Sequence, residues 1–187
     1  MTRFEGNFRT DALAAFISQG GVIAAPAEAV WGLSCDPFSL TAVEQLLAMK
    51  RRSVTKGLIV VAADVGMFAS LLDGLDSRQR RAVASSWPGP NTWLVPNLGV
   101  FPPWVTGDSH EVAIRVTSAP ALRSLSRALG GPLVSTSANP AGGLPARFGF
   151  QVVRYFGADL PRAVGQVDLA GKPSTIRRVE TGEVLRA

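Results

Sequence analysis

The stretch Leu133-Val134-Ser135-Thr136-Ser137-Ala138-Asn139 opens as an apolar, β-type run and closes in hydroxyls and an amide. Directly before it, Gly130-Gly131-Pro132 stops the helix-type segment Ala119 to Leu129. A strand that follows a helix is the repeating unit of an α/β sheet, and a polar strand end marks the sheet edge where ligands usually bind. Two readings of the polar end stand side by side. Ser, Thr and Asn can simply bond to their own main chain in a turn. Alternatively, hydroxyls and free amides at such a place cradle a phosphate or a carboxylate.

Working outward, further β-type runs occupy Gly21 to Ala25, Leu58 to Ala62, Thr92 to Val95 and Val112 to Val116. Between them lie helix-type stretches at Asp11 to Ile17, Thr41 to Lys50 and Asp76 to Trp87. The second places Val43, Leu46 and Leu47 on one stripe and starts with a Thr41/Glu44 capping box. The long apolar stretch Gly57 to Leu75 contains Asp64 and Gly66 and reads as strand, turn and helix, not as a membrane span. Near the end, Thr175 to Val179 and Glu183 to Arg186 flank Glu180-Thr181-Gly182, a hairpin signature. No linker, charge block or repeat interrupts this order, so residues 1–187 are expected to form a single α/β domain with a mixed sheet.

Composition bounds the chemistry. The chain has 187 residues, 47% hydrophobic and 18% charged. At this length it buries roughly 70% of its unfolded surface and needs no staples. Cys35 is the only cysteine and His110 the only histidine. Disulfide frameworks and Cys/His zinc sites are therefore excluded within the chain. A His-based triad would have to use His110, which sits in the loop-like run Thr106-Gly107-Asp108-Ser109-His110-Glu111. Neither a Walker-type phosphate loop nor a G-x-G-x-x-G is present. The formal net charge is +5, and Lys50, Lys56 and Lys172 are the only lysines beside sixteen arginines. Guanidinium forks match phosphate oxygens, although a coding bias toward Arg explains surface arginines equally well. The first seven residues carry an acid early and no apolar run, so no secretory leader and no membrane association are expected, and the protein is placed in the cytoplasm.

Several polar clusters follow the apolar runs. Lys50, Arg51 and Arg52 close a helix, where cations offset the negative end of its dipole. The same group, joined by Lys56, can also clamp a triphosphate. Arg115 lies inside the run Val112 to Val116, where an isolated charge must snorkel, pair or bind an anion. Glu28 is its candidate internal partner. Pro26-Ala27-Glu28-Ala29-Val30-Trp31-Gly32, Trp87-Pro88-Gly89-Pro90-Asn91-Thr92 and Pro173-Ser174-Thr175-Ile176 complete the set.

Together these clusters resemble the YrdC-domain threonylcarbamoyl-AMP synthases of the short bacterial type, over about residues 11–185. The segment Pro26 to Gly32 is similar to the family's strand-loop signature, Lys50, Arg52 and Lys56 to its K-x-R pair with a following basic residue, and Pro88 to Thr92 to its P-G-P-x-T turn. Ile114-Arg115 matches the V-R strand, while S-T-S-A-N and P-S-T-I stand intact at Ser135 to Asn139 and at Pro173 to Ile176.

The resemblance implies a twisted, open, mixed sheet with helices packed around it and a concave basic cavity. It implies joining of L-threonine, bicarbonate or CO2, and ATP into threonylcarbamoyladenylate with release of pyrophosphate. The product then serves a tRNA threonylcarbamoyl transferase complex that modifies an adenosine beside the anticodon. Lys50, Arg52 and Lys56 are the implied catalytic residues; Lys50, Arg52, Ser137, Asn139 and Ser174 are implied to bind ATP, and Lys56, Thr92, Arg115 and Ser135 to bind threonine. Mg²⁺ is implied as an ion held mainly by the phosphates, with no dedicated protein metal site.

Two departures stand out. Ala27 replaces the family's usual threonine and removes a hydroxyl near the amino-acid substrate, and Ser53 replaces a proline. The rival reading is a non-catalytic module that binds tRNA or double-stranded RNA directly, which a sequence pI near 10.3 permits. Against it, no RNP-like aromatic pair is present and Tyr155 is the only tyrosine.

Overall fold

The computed structural model describes residues 8–186; the N-terminal segment 1–7, in which no leader is expected, lies outside the described residues. Eight strands form one open mixed sheet in the order β1-β2-β6-β3-β5-β4-β7-β8. They are β1 (Ile23–Pro26), β2 (Trp31–Ser34), β3 (Ile59–Ala62), β4 (Asn91–Pro96), β5 (Glu111–Val116), β6 (Leu133–Ser137), β7 (Thr175–Arg178) and β8 (Val184–Arg186). The helices are α1 (Phe8–Ser18), α2 (Leu40–Lys50), α3 (Ala69–Leu72), α4 (Ser77–Ala84), α5 (Pro103–Thr106), α6 (Pro120–Leu129) and α7 (Gly149–Phe156). The sheet pairs β3 with β5, and β4 with β7, in parallel; the other neighbours are antiparallel.

The α/β alternation, the five β-type runs and the C-terminal hairpin all take the expected form. Two details differ. Helix α2 begins at Leu40, which puts Thr41 inside its first turn, so no Thr41/Glu44 box forms. The cap is Ser39, in extended conformation, whose Oγ accepts from the N–H of Ala42 at 3.3 Å. Helix α4 stops at Ala84, short of Trp87. Beyond it, the hydroxyls of Ser85 and Ser86 donate back to the carbonyls of Ala82 and Val83 and satisfy the helix end. Strand β2 and helix α7 had no reading in the sequence: Gly32, Ser34 and Cys35 weaken the strand pattern, and Gly149 opens the helix.

Side-chain alternation distributes three core clusters over two faces. On one face, Val60, Ala62, Val95, Val112, Ile114 and Val116 form a cluster with Phe68 and Leu71 from the β3–α3 region and Val83 of α4. Beside it, Leu33, Ala24 and Val134 pack with Val43, Leu46 and Leu47 of α2 and Val152 of α7. The opposite face is covered only in part. Ile23, Ala25, Val61 and Leu133 meet Leu13 and Ile17 of α1 and Leu122 and Leu125 of α6. Toward β4 and β7 that face borders a cavity, whose lining includes Val105 and Thr106 of α5.

Candidate active site

The cavity has a volume of about 550 Å³, within the usual range for small-molecule sites. Alternation along the central strands builds its floor. Ala113 and Arg115 of β5, Ser135 and Ser137 of β6, and Ile59 of β3 line it, while their strand neighbours Ile114 and Val134 point into the core. The walls carry Arg52, Lys56, Arg115, Lys172 and Arg186 against the carboxylates Glu28 and Glu111. Both acids are already engaged by arginines: Glu28 by Arg115 and Glu111 by Arg178 at 3.0 Å. The net field in the cavity is therefore positive and suits an anionic ligand.

Arg115 settles its open alternatives in favour of an acid partner. Its guanidinium lies 3.2 Å from the Glu28 carboxylate, with side chains 7% and 14% exposed. The second Glu28 oxygen accepts from the Thr117 hydroxyl at 2.7 Å and the Ser118 N–H at 3.2 Å. Burial pulls the Arg115 guanidinium below its ordinary value, and Glu28 opposes that pull. Arg115 also borders the cavity, and its buried Nε has no hydrogen-bond partner, so pairing with Glu28 leaves donor capacity over.

Across the cavity, Arg186 donates to the carbonyl of Ser174 at 3.1 and 2.9 Å and to its hydroxyl at 2.9 Å. The Thr92 hydroxyl donates to the same Ser174 Oγ at 3.1 Å. Burial, and then the like charge of Arg115, lower the Arg186 guanidinium. Arg186, Lys172 and Glu111 escaped the sequence reading. The available signal was weak: Arg186 sits in the second strand of the recognised hairpin, opposite Ile176, another cavity residue.

The basic run at the end of α2 splits in three directions. Lys50, 5% exposed, turns inward, and its Nζ donates to the carbonyls of Ser137 and, at 2.9 Å, Asn139. Burial, and then the charge of Arg52, push its ammonium down to about 8. Arg51 takes a left-handed conformation and caps the helix, its N–H bonding to the Ala48 carbonyl. Arg52 faces the cavity, and one of its nitrogens donates to the carbonyls of Lys56 at 3.2 Å and Gly57 at 2.9 Å. It thereby holds the loop that carries Lys56 to the rim. That loop lies against the end of α5 so closely that a Cβ on Gly107 would come within 2.4 Å of the Thr55 carbonyl oxygen.

Of the nine residues singled out from the sequence, Arg52, Lys56, Arg115, Ser135, Ser137 and Ser174 thus line one cavity. Lys50, Thr92 and Asn139 stand behind its walls: Thr92 bonds to Ser174, and the Asn139 amide donates to the carbonyls of Pro140 and Gly143. His110 lies in the loop before β5, and Cys35 is fully buried, its thiol pushed up by burial and by Asp36. Among the described residues no group of three or more His, Cys, Asp or Glu is placed to hold a metal, and no helix is long and apolar enough to cross a membrane.

The chain is similar over nearly its whole length to proteins named threonylcarbamoyl-AMP synthase. That of Cellvibrio japonicus is 51% identical over 183 residues, covering 96% of each chain. That of Stutzerimonas stutzeri is 50% identical, covering 97% of this chain and 98% of the relative. Among solved structures, P. abyssi Sua5 complexed with L-threonine superposes with a TM-score of 0.84 at 25% identity over 95% of this chain; the chain spans about half (52%) of that protein. E. coli YciO has the same fold, with a TM-score of 0.80 at 19% identity, covering 95% of this chain and 87% of that one. The family model for Sua5, YciO and YrdC, described as telomere recombination, matches residues 15–187, and the chain belongs to that family.

Proposed function

We propose that this protein is a threonylcarbamoyl-AMP synthase, which joins L-threonine, CO2 or bicarbonate, and ATP into threonylcarbamoyladenylate and pyrophosphate. The observation that carries the reading is the near-full-length likeness to enzymes of that name, and a cavity with surplus positive charge supports it. The threonine amine gives up a proton and adds to CO2 as a carbamate. A carbamate oxygen then bonds to the α-phosphorus while the bond from that phosphorus to the β-phosphate bridge breaks, and pyrophosphate leaves. Nucleophile and electrophile are both anionic, so the site must align them and offset charge; it needs no nucleophilic side chain. That demand matches a cavity whose lining holds neither Cys nor His.

In this reading Arg52, Ser137 and Ser174 contact the nucleotide, and Lys56, Arg115 and Ser135 hold the threonine carboxylate and the carbamate. Thr92 acts through Ser174, whose hydroxyl it fixes. Mg²⁺ would be held mainly by the ATP phosphates, since the cavity carboxylates Glu28 and Glu111 are already paired with arginines. The adenylate is consumed by an enzyme system that transfers the threonylcarbamoyl group to a tRNA adenosine beside the anticodon, which places the protein in the cytoplasm. Pyrophosphate release from ATP, measured with and without L-threonine and bicarbonate, tests the reading. Release that needs both is expected, and ATP turnover indifferent to threonine overturns it.

A further inference from the structure

Lys50 has the position of a strut. Its main-chain carbonyl accepts from the N–H of Ala141 at 2.8 Å, and its ammonium donates to the carbonyls of Ser137 and Asn139. One residue at the end of α2 therefore grips the segment 137–141 at three points. The Asn139 side chain closes the turn that follows, through the carbonyls of Pro140 and Gly143 at 3.0 and 2.8 Å.

The peptide between Ser137 and Ala138 is held from both sides. Its carbonyl faces Lys50, and its N–H donates to the carbonyl of Trp31 at 2.7 Å. Because a peptide unit is planar and rigid, two opposed anchors fix its orientation, and with it the direction in which the Ser137 side chain leaves the strand. Ser137 lines the cavity; Lys50 does not. A buried ammonium is expensive to keep unless something satisfies it. Here main-chain carbonyls do so, with no acid in contact among the described residues, and most of its donor capacity is spent on them.

We propose that Lys50 is a positioning residue: its ammonium holds the Ser137–Ala138 peptide and the Asn139–Gly143 turn against α2, and so sets where the Ser137 hydroxyl stands in the cavity, without touching the nucleotide. The inference rests on the reading above, in which Ser137 contacts ATP. It divides the labour of the basic run, with Arg52 serving the cavity and Lys50 serving the wall.

Two measurements test it. The first is backbone amide exchange in the wild type, Lys50→Met and Lys50→Gln. Peptides covering 137–146 should exchange at least about tenfold faster in Lys50→Met, with α1 and α6 unchanged, and the uncharged amide donors of Lys50→Gln should restore part of the protection. The second is a double-mutant cycle with Ser137→Ala on kcat/KM for threonine-dependent pyrophosphate release. The double variant should fall within about threefold of the worse single variant, since each disables the same hydroxyl. Unchanged exchange at 137–146, or losses that multiply as for two separate substrate contacts, overturns the proposal. Should Lys50→Met fail to fold, Lys50→Gln carries both arms. Should the wild type release no pyrophosphate with threonine, the functional reading fails by itself; the exchange arm and the same cycle run on ATP binding by calorimetry still decide the role of Lys50.

Discussion

Arg115 and Glu28 meet at 3.2 Å in the wall of the cavity, although 87 residues apart in sequence, and each keeps a buried polar atom without a hydrogen-bond partner. The pair is a structural element, and both of its members line the cavity. Glu28 neutralises a guanidinium that would otherwise be buried alone, and the buried Nε of Arg115 is left without a hydrogen-bond partner.

Removing one member therefore exposes the cost of burying the other. Glu28→Ala should destabilise the protein by about 3–5 kcal/mol, as breaking one partner of a buried pair commonly does. Denaturant midpoints measure the effect. A loss below about 1 kcal/mol would show that water reaches Arg115 and the pair is worth no more than a surface one.

Arg52 combines a place in the cavity wall with two bonds to the loop carrying Lys56. Arg52→Ala removes a charge-assisted contact of roughly 1.5–3 kcal/mol, which corresponds to about a 10- to 150-fold loss in kcat/KM for ATP. Steady-state pyrophosphate release at varied ATP reads it. Arg52→Lys should recover only a fraction, because an ammonium that takes over the Lys56 and Gly57 carbonyls, now held by one guanidinium nitrogen, brings no second nitrogen in a fork for a phosphate.

The lowered Lys50 ammonium, at about 8 in the fold against 10.5 in the unfolded chain, gives stability a definite pH dependence. Between these values the unfolded state binds the extra proton, so unfolding free energy rises with pH, by at most about 1.4 kcal/mol per unit. Below pH 8 the penalty is present in full. Urea midpoints at pH 8 and 10 should therefore rise in the wild type relative to Lys50→Met, in which the dependence disappears.

Ala27 borders the cavity at the β1–β2 turn, its N–H bonded to the Val30 carbonyl at 3.0 Å. Ala27→Thr adds one hydroxyl, worth about 0.5–1.5 kcal/mol if it reaches the substrate. The KM for threonine should fall several-fold while that for ATP stays fixed. If overpacking occurs instead, the melting temperature falls, with a cost of roughly 1–3 kcal/mol. A higher KM for threonine at an unchanged melting temperature would show that a hydroxyl at position 27 does not serve threonine binding.

Much of this protein is written locally. β-Branched runs closed by Gly, Pro and polar residues determined the α/β order, the strands around Arg115 and Ser135 to Ser137, and the C-terminal hairpin, because strand and turn preferences act between near neighbours. Period-two alternation along β5 sets Arg115 and Ala113 on one face, the one that lines the cavity. Tertiary structure alone decided which basic residues face the cavity. Lys50 and Arg52 are two positions apart, yet the left-handed turn at Arg51 sends one ammonium into the wall and one guanidinium into the cavity. The place of Arg186 beside Ser174, the Glu28–Arg115 pair and the cavity itself depend on packing between elements distant along the chain. Such contacts follow from the three-dimensional paths of the elements, which no local pattern encodes.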